Sequence, residues 1–147
     1  MDRREELLRV ERERWEEFSA LIDRVPADRM EEPTLSADGW SVKDLLWHMA
    51  CWDREAAREL ERVRLGTYVD RDYDTDEENM RFLEEGRRTG LATVRTELFA
   101  SRRRVVEEMA ALPEVTPPAE EWFSESAYKH VDDHLPELRR FVERRPG

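Results

Sequence analysis

The chain has 147 residues, enough for one domain with a hydrophobic core and too few for two comfortable ones. Charged residues make up 41% and hydrophobic residues 39%, with only 5 Gly and 7 Pro, which favours long solvated helices over a Gly/Pro-punctuated all-β fold. Lys plus Arg number 25 against 36 Asp plus Glu, a formal charge of −11, and such a surface repels phosphate backbones and argues against nucleic acid as a partner.

Four long segments carry helical periodicity. The first is expected from about Arg3 to Val25, with Leu7, Leu8, Trp15, Phe18, Leu21, Ile22 and Val25 as its apolar stripe and Pro26 as its stop. The connection Pro26–Trp40 is long for a bundle loop, a length often kept for function. Ser41-Val42-Lys43-Asp44 then reads as a capping-box start, the hydroxyl accepting from first-turn amides and the acid sitting where the helix dipole favours it. The helix it opens carries Val42, Leu45, Leu46, Met49, Trp52, Ala56, Leu60 and Val63 on its apolar side and is expected to end at Gly66.

Between Thr67 and Thr89 the pattern weakens, leaving a short helix capped at Asp74 and ending near Gly86. The third long helix is expected over roughly Gly90 to Ala111, and Pro113, Pro117 and Pro118 break the chain after it. The last is expected from about Glu120 to Arg144, with Phe123, Ala127, His134, Leu138, Phe141 and Val142 on one side and a bend at Pro136. Four such helices, about 30–36 Å long each, point to an all-α four-helix bundle formed as a single domain over 1–147, with an extra short helix in the 67–89 connection.

A single cysteine, Cys51, excludes an intramolecular disulfide and fits a reducing, cytoplasmic setting. No apolar stretch approaches the ~20 residues of a membrane span, so no membrane partner is expected. The opening Met-Asp-Arg-Arg-Glu-Glu-Leu-Leu lacks the apolar core of a signal peptide.

The chemistry concentrates in three histidines. His130 and His134 are four residues apart, an advance of about 400° on a helix, so both imidazoles leave one face a turn apart and can grip one ion. His48 lies at the edge of the second helix's apolar stripe, beside Leu45 and Trp52. Three neutral imidazoles converging from two helices, with open positions for water or substrate, make a catalytic divalent-metal site, whereas closed structural sites more often recruit thiolates. The plainer alternative is that each histidine is a hydrogen-bonded packing residue.

Gly39-Trp40-Ser41-Val42-Lys43-Asp44-Leu45-Leu46-Trp47-His48-Met49-Ala50 resembles the G-W-S/T-v-x-D-l-l-x-H-l-a signature of the DinB/YfiT-like superfamily. His130-Val131-Asp132-Asp133-His134-Leu135-Pro136-Glu137-Leu138 resembles its H-x-x-x-H-l-p-e-L ending, and Val94 to Pro113 is similar to its third helix. The resemblance implies an up-down-down-up four-helix bundle, commonly a homodimer, in which His48, His130 and His134 hold one divalent ion such as nickel, zinc or iron. It also implies a low-molecular-weight thiol as cosubstrate, since members include isomerases and transferases acting with mycothiol or bacillithiol. The mycothiol-dependent isomerases add a C-terminal domain, which is not expected in a sequence ending at Gly147.

Other residues carry two readings each. Asp44, four before His48, is either an acceptor that orients its ring or a helix-start acid favoured by the dipole. Glu137, three after His134, is a supporting partner, a general base, or an exposed helix-face glutamate. Cys51 is a fourth ligand or a small buried core residue, and Trp40, Trp47, Trp52 and Trp122 are an aromatic wall or plain core. Tyr128 points about 200° away from His130 and is not a ligand. Asp53 and Glu55 do not make a carboxylate-bridged di-metal site with Asp44, because neither histidine motif supplies the Glu-x-x-His pairs it needs.

The expectation is a metal-dependent hydrolase or thiol transferase acting on a small electrophilic molecule. The alternatives are a non-catalytic protein that sequesters a small molecule, or a bundle with a purely structural metal.

Overall fold

The computed structural model describes residues 2–144, and the ends of the expected 1–147 domain lie outside them. All regular structure among these residues is helical, as expected of an all-α chain. Helix α1 spans Arg3–Asp23, α2 Val42–Leu65, α3 Thr75–Arg87, α4 Leu91–Ala111, α5 Pro117–Ser124 and α6 His130–Glu143. A 3₁₀ turn, Ala27–Arg29, lies between α1 and α2, and a π-helical turn, Glu125–Lys129, joins α5 to α6. No helix among the described residues is long and apolar enough to cross a membrane.

Local chemistry sets most of these boundaries. Ser41 Oγ accepts from the Asp44 N–H at 3.1 Å while Asp44 Oδ2 accepts from the Ser41 N–H at 2.9 Å, a reciprocal capping box that starts α2. Gly66 ends α2 with φ +75°, left-handed backbone that favours glycine. Asp74 caps α3, accepting from the Glu77 N–H at 3.1 Å.

Three expectations need correction. Pro117 and Pro118 do not break the chain; they open α5, because the first helical positions need no backbone N–H, and Thr116 caps them. Helix α2 buries its expected apolar side and more: every residue from Val42 to Cys51 is buried, since α2 packs against α3, α4 and α5 together. Along the last helix, Val131 and Leu135 take the inward places, while His134 stands partly exposed at the margin.

The apolar core is divided in two along the bundle. One half gathers Phe18, Ile22, Leu45, Leu46, Phe82, Leu98, Leu138 and Phe141, with Met30 and Leu35 folded in from the long connection. The other holds Leu7, Ala56, Leu60, Val105, Met109 and Phe123. In sequence, Glu11, Asp53, Ser101 and Arg102 fall between the two sets on α1, α2 and α4. Arg102 grips both oxygens of Glu11, at 2.6 and 2.8 Å, and Trp15 lies under its guanidinium.

Cross-helix pairs record how the helices run. Glu61 with Arg104 and Arg64 with Glu108 advance together along α2 and α4. Arg14 with Asp132 and Glu17 with Arg139 do so along α1 and α6. Along α1 and α4 the order reverses, Arg4 reaching the Leu112 carbonyl and Glu11 reaching Arg102.

Candidate metal centre and its cavity

Helix α2 carries His48 at the middle of its buried stretch, and α6 begins at His130 directly after the π-helical turn. That turn has a geometric reason. Phe123, Ala127, Val131 and Leu135 follow at four-residue steps, each overshooting the 3.6-residue repeat by about 40°. A wider turn absorbs the overshoot, so all four stay buried.

The three histidines meet. His48, His130 and His134 each offer a ring nitrogen, and these atoms all lie within 4.8 Å of one another. His48 Nε2 and His130 Nε2 stand 2.8 Å apart, a hydrogen bond in which one ring donates and the other accepts. The ring centroids are 4.7 to 5.4 Å apart and every pair meets edge to face. Burial lowers the His48 pKa to about 4, with His134 adding to it. Burial, then His48 and His134, push His130 well down as well. Both rings are therefore neutral near pH 7 and present lone pairs.

This donor set fits a divalent cation: neutral imidazoles are its commonest protein ligands. Two nitrogens each about 2.0–2.1 Å from a tetrahedral ion sit about 3.3 Å apart, so the His48–His130 pair needs to open by about half an ångström.

The neighbours fall into place differently. Glu137 Oε1 lies 2.7 Å from His134 Nδ1, which leaves His134 Nε2 free toward the other rings. The Asp44 carboxylate is taken up by the capping box and stands 3.7 Å from Arg87, while His48 Nδ1 is buried without a hydrogen-bond partner. Cys51 is buried in the core outside the trio, and burial pushes its thiol up to about 12, so it stays protonated. Glu55 pairs with Arg58 at 3.3 Å, and Asp53 lies between the two halves of the core. Tyr128 packs against the second half of the core.

The histidines line a cavity of about 660 Å³. Trp40, Trp52 and Trp122 line it too, whereas Trp47 is buried against Gly86. Trp40 meets His48 edge-on at 5.2 Å, and Trp52 Nε1 donates to Asn79 Oδ1 at 2.8 Å. Sequence periodicity gives no sign of one part of the cavity wall, supplied by Tyr68, Asp70 and Arg71 from the irregular segment before α3. Its signal is the density of aromatic and charged residues in a stretch with no helical stripe. Buried Glu59 holds that segment, accepting from Arg71 Nη1 at 3.0 Å on both oxygens and from the Tyr73 hydroxyl at 3.3 Å.

Residues 12–143 match the family described as the mycothiol maleylpyruvate isomerase N-terminal domain, a span that contains all three histidines. No curated protein and no solved structure matches the chain. With nearly its whole length matched, the chain belongs to the mycothiol maleylpyruvate isomerase N-terminal domain family, within the DinB/YfiT-like clan.

Proposed function

We propose that the chain is a metal-dependent enzyme that transfers a low-molecular-weight thiol to, or hydrolyses, a small electrophilic molecule. The observation that carries this reading is the convergence of His48, His130 and His134 on the wall of an aromatic cavity. The family's description, which names mycothiol, favours the thiol branch over hydrolysis. His48, His130 and His134 would hold one divalent ion, nickel, zinc or iron, with positions left open for the reactants. When bound, such an ion supplies Lewis acidity that draws the pKa of a thiol or of water toward neutrality.

The chain's own residues do the rest. Glu137 fixes the His134 ring through Nδ1, as metal-ligating histidines usually require. Trp40 packs against His48, the two rings meeting edge to face at 5.2 Å. Trp52 and Trp122 give an apolar wall for the organic part of a substrate.

The same reading includes an up-down-down-up helix order, supported by the parallel pairs along α2 and α4 and along α1 and α6. It also includes a single domain, a homodimer, a cytoplasmic setting and a small molecule rather than nucleic acid as partner. The last is supported by the charge of −11. The size of the cavity supports one competing reading, sequestration of a small molecule without turnover.

Elemental analysis of untagged protein tests the site, with His130→Ala and His134→Ala alongside. About one metal per chain, lost in both variants, followed by thiol consumption with a reactive electrophile, is the expected result. A wild type that carries no metal and refuses added nickel, zinc and iron overturns the enzyme reading in favour of sequestration.

A further inference from the structure

Two uncharged side chains on the cavity wall carry hydrogen-bonding groups that the protein itself leaves unused. Ser126, the second residue of the π-helical turn, is only 6% exposed and lines the cavity. Helical serines and threonines often bond back to a carbonyl one turn earlier, as Ser124 does to Glu121 at 3.4 Å. The Ser126 hydroxyl has no hydrogen-bond partner among the described residues and is not sealed from solvent, so it opens on the cavity. Asn79, on α3, lines the same cavity, and its Oδ1 accepts from the Trp52 indole N–H at 2.8 Å. An indole nitrogen only donates, so the amide oxygen must face Trp52. That leaves Asn79 Nδ2 with two N–H donors, also without a partner among the described residues and not sealed from solvent.

Both groups stand at one end of the cavity. Trp52 follows His48 by four residues on α2, and Ser126 precedes His130 by four. Tyr73 touches both Trp52 and Trp122, at ring-centroid distances of 6.1 and 5.3 Å, so forward along α2 and backward from His130 lead to the same side. Ser126 and the Trp52–Asn79 pair therefore lie about one helical turn, roughly 5 Å, beyond the histidines. Widened helical turns such as the one carrying Ser126 occur often at functional sites. A hydroxyl and an amide N–H2 left to donate suit an acceptor oxygen on a ligand. A wall built to hydrogen-bond such an oxygen rejects an analogue that lacks it, because its own polar groups are then left unpaired.

We propose that Ser126 Oγ and Asn79 Nδ2 donate to carbonyl oxygen of the electrophilic substrate, and that Trp52 is the positioning residue that turns the Asn79 amide for this role. The substrate class is then a small ketone, ester or amide rather than an alkyl or aryl halide without oxygen. This rests on the cavity being the substrate site of the proposed enzyme.

The probes are 4′-hydroxyacetophenone and 4-isopropylphenol, which has a methyl group in place of the carbonyl oxygen. Each is titrated into protein supplied with zinc and followed by proton–nitrogen correlation NMR, which resolves the Asn79 side-chain N–H2 signals. The ketone is expected to move those signals on binding, and the isopropyl compound to leave them in place. Ser126→Ala removes one donor, and Asn79→Asp removes the other while keeping an oxygen toward Trp52. Each variant is expected to weaken ketone binding about fivefold and to leave 4-isopropylphenol within about twofold, with unchanged helical circular dichroism. Should a variant misfold, the Asn79 shifts of the wild type remain as the readout. A ketone that binds without moving the Asn79 signals, equal losses for both probes, or no ketone binding overturns the proposal. Metal content measured on the same samples separates the two readings. Protein that takes up no nickel, zinc or iron yet holds the ketone through Asn79 removes the enzyme reading alone. Zinc-loaded protein whose Asn79 signals ignore the ketone removes the carbonyl proposal alone.

Discussion

His134 Nδ1 and Glu137 Oε1, one helical turn apart on α6, lie 2.7 Å from each other. The pairing fixes which nitrogen of His134 faces His48 and His130, because an Nδ1–H donated to a carboxylate leaves the lone pair on Nε2. Supporting partners of this kind are worth about 10- to 100-fold in metal affinity. Glu137→Ala is therefore expected to weaken metal binding about tenfold or more, measured by competition with a chromogenic chelator, while leaving the helical content unchanged. Unchanged affinity would make Glu137 an ordinary surface residue.

The same histidines make the metal-free protein sensitive to acid. Below pH 6.5 the unfolded chain gains a proton on His48, which the folded chain refuses until about pH 4. This contribution is fully present above pH 6.5 and is lost as pH falls toward 4, with His130 shifted in the same direction. In chelator-treated protein, urea stability should fall between pH 6.5 and 4.5 by at most about 1.4 kcal/mol per pH unit for His48. His48→Asn should show a shallower slope; equal slopes would mean that the ring does not titrate as its burial implies.

Much of this site is legible in the sequence, and the reasons are local. The Ser41–Asp44 capping box, the glycine at 66 and the four-residue spacing of His130 and His134 depend on neighbours in sequence, which chemistry alone interprets. What escaped depends on partners far along the chain. Met30 and Leu35 sit in a segment without periodicity, so nothing marked them as core. Asp44, four residues from His48, could have been its partner by spacing, but the unpaired backbone N–H of Ser41 takes the carboxylate. The π-helical turn was hidden because four-residue apolar spacing is also compatible with an ordinary helix.

Asp53 illustrates the long-range kind. It is buried, Oδ1 lacks a hydrogen-bond partner, and burial with Glu11 nearby raises its pKa well above the ordinary value, against a smaller opposing effect of Arg102. A carboxyl with a raised folded pKa has no cost below the unfolded value near 3.9, and a growing cost as pH rises above it. Asp53→Asn is expected to stabilise the protein by about 1–2 kcal/mol at pH 7, with the gain shrinking toward pH 4. Urea titrations at the two pH values check it, and a variant less stable than wild type at pH 7 would mean that the carboxylate has a donor.

Gly86, buried in α3, shows how closely that helix approaches α2. A Cβ there would meet the Trp47 side chain at 2.7, 2.9 and 3.1 Å, and Trp47 is itself buried and cannot swing aside. Alanine gains about 1 kcal/mol of helix propensity. Overpacking costs typically 1–3 kcal/mol. Gly86→Ala is expected to lower the melting temperature despite the better helix former. A rise would show that α3 can shift outward without cost.

Glu59 governs the wall of the cavity that belongs to no helix. Its carboxylate is 1% exposed and is shared by Arg62, Arg71 and the Tyr73 hydroxyl, two of which lie on the segment between α2 and α3. Burial, reinforced by Glu59, pushes Tyr73 up to about 12, so its hydroxyl keeps the proton that it donates. Glutamine keeps one acceptor oxygen but removes the negative charge that both arginines share and turns the other oxygen into a donor facing them; since each arginine is partly exposed, the loss is moderated by water to about 1–3 kcal/mol. Glu59→Gln should therefore loosen the segment around Arg71 without unfolding α2, whose first ten residues are all buried, while the edge-to-face contact of Tyr73 with Trp122 at 5.3 Å is the one that could still hold it. Limited trypsin digestion at Arg71 reads the release directly, with faster cleavage expected in the variant at a temperature where its circular dichroism is still native. Cleavage at the wild-type rate would mean that aromatic stacking, and not the buried carboxylate, holds this wall in place.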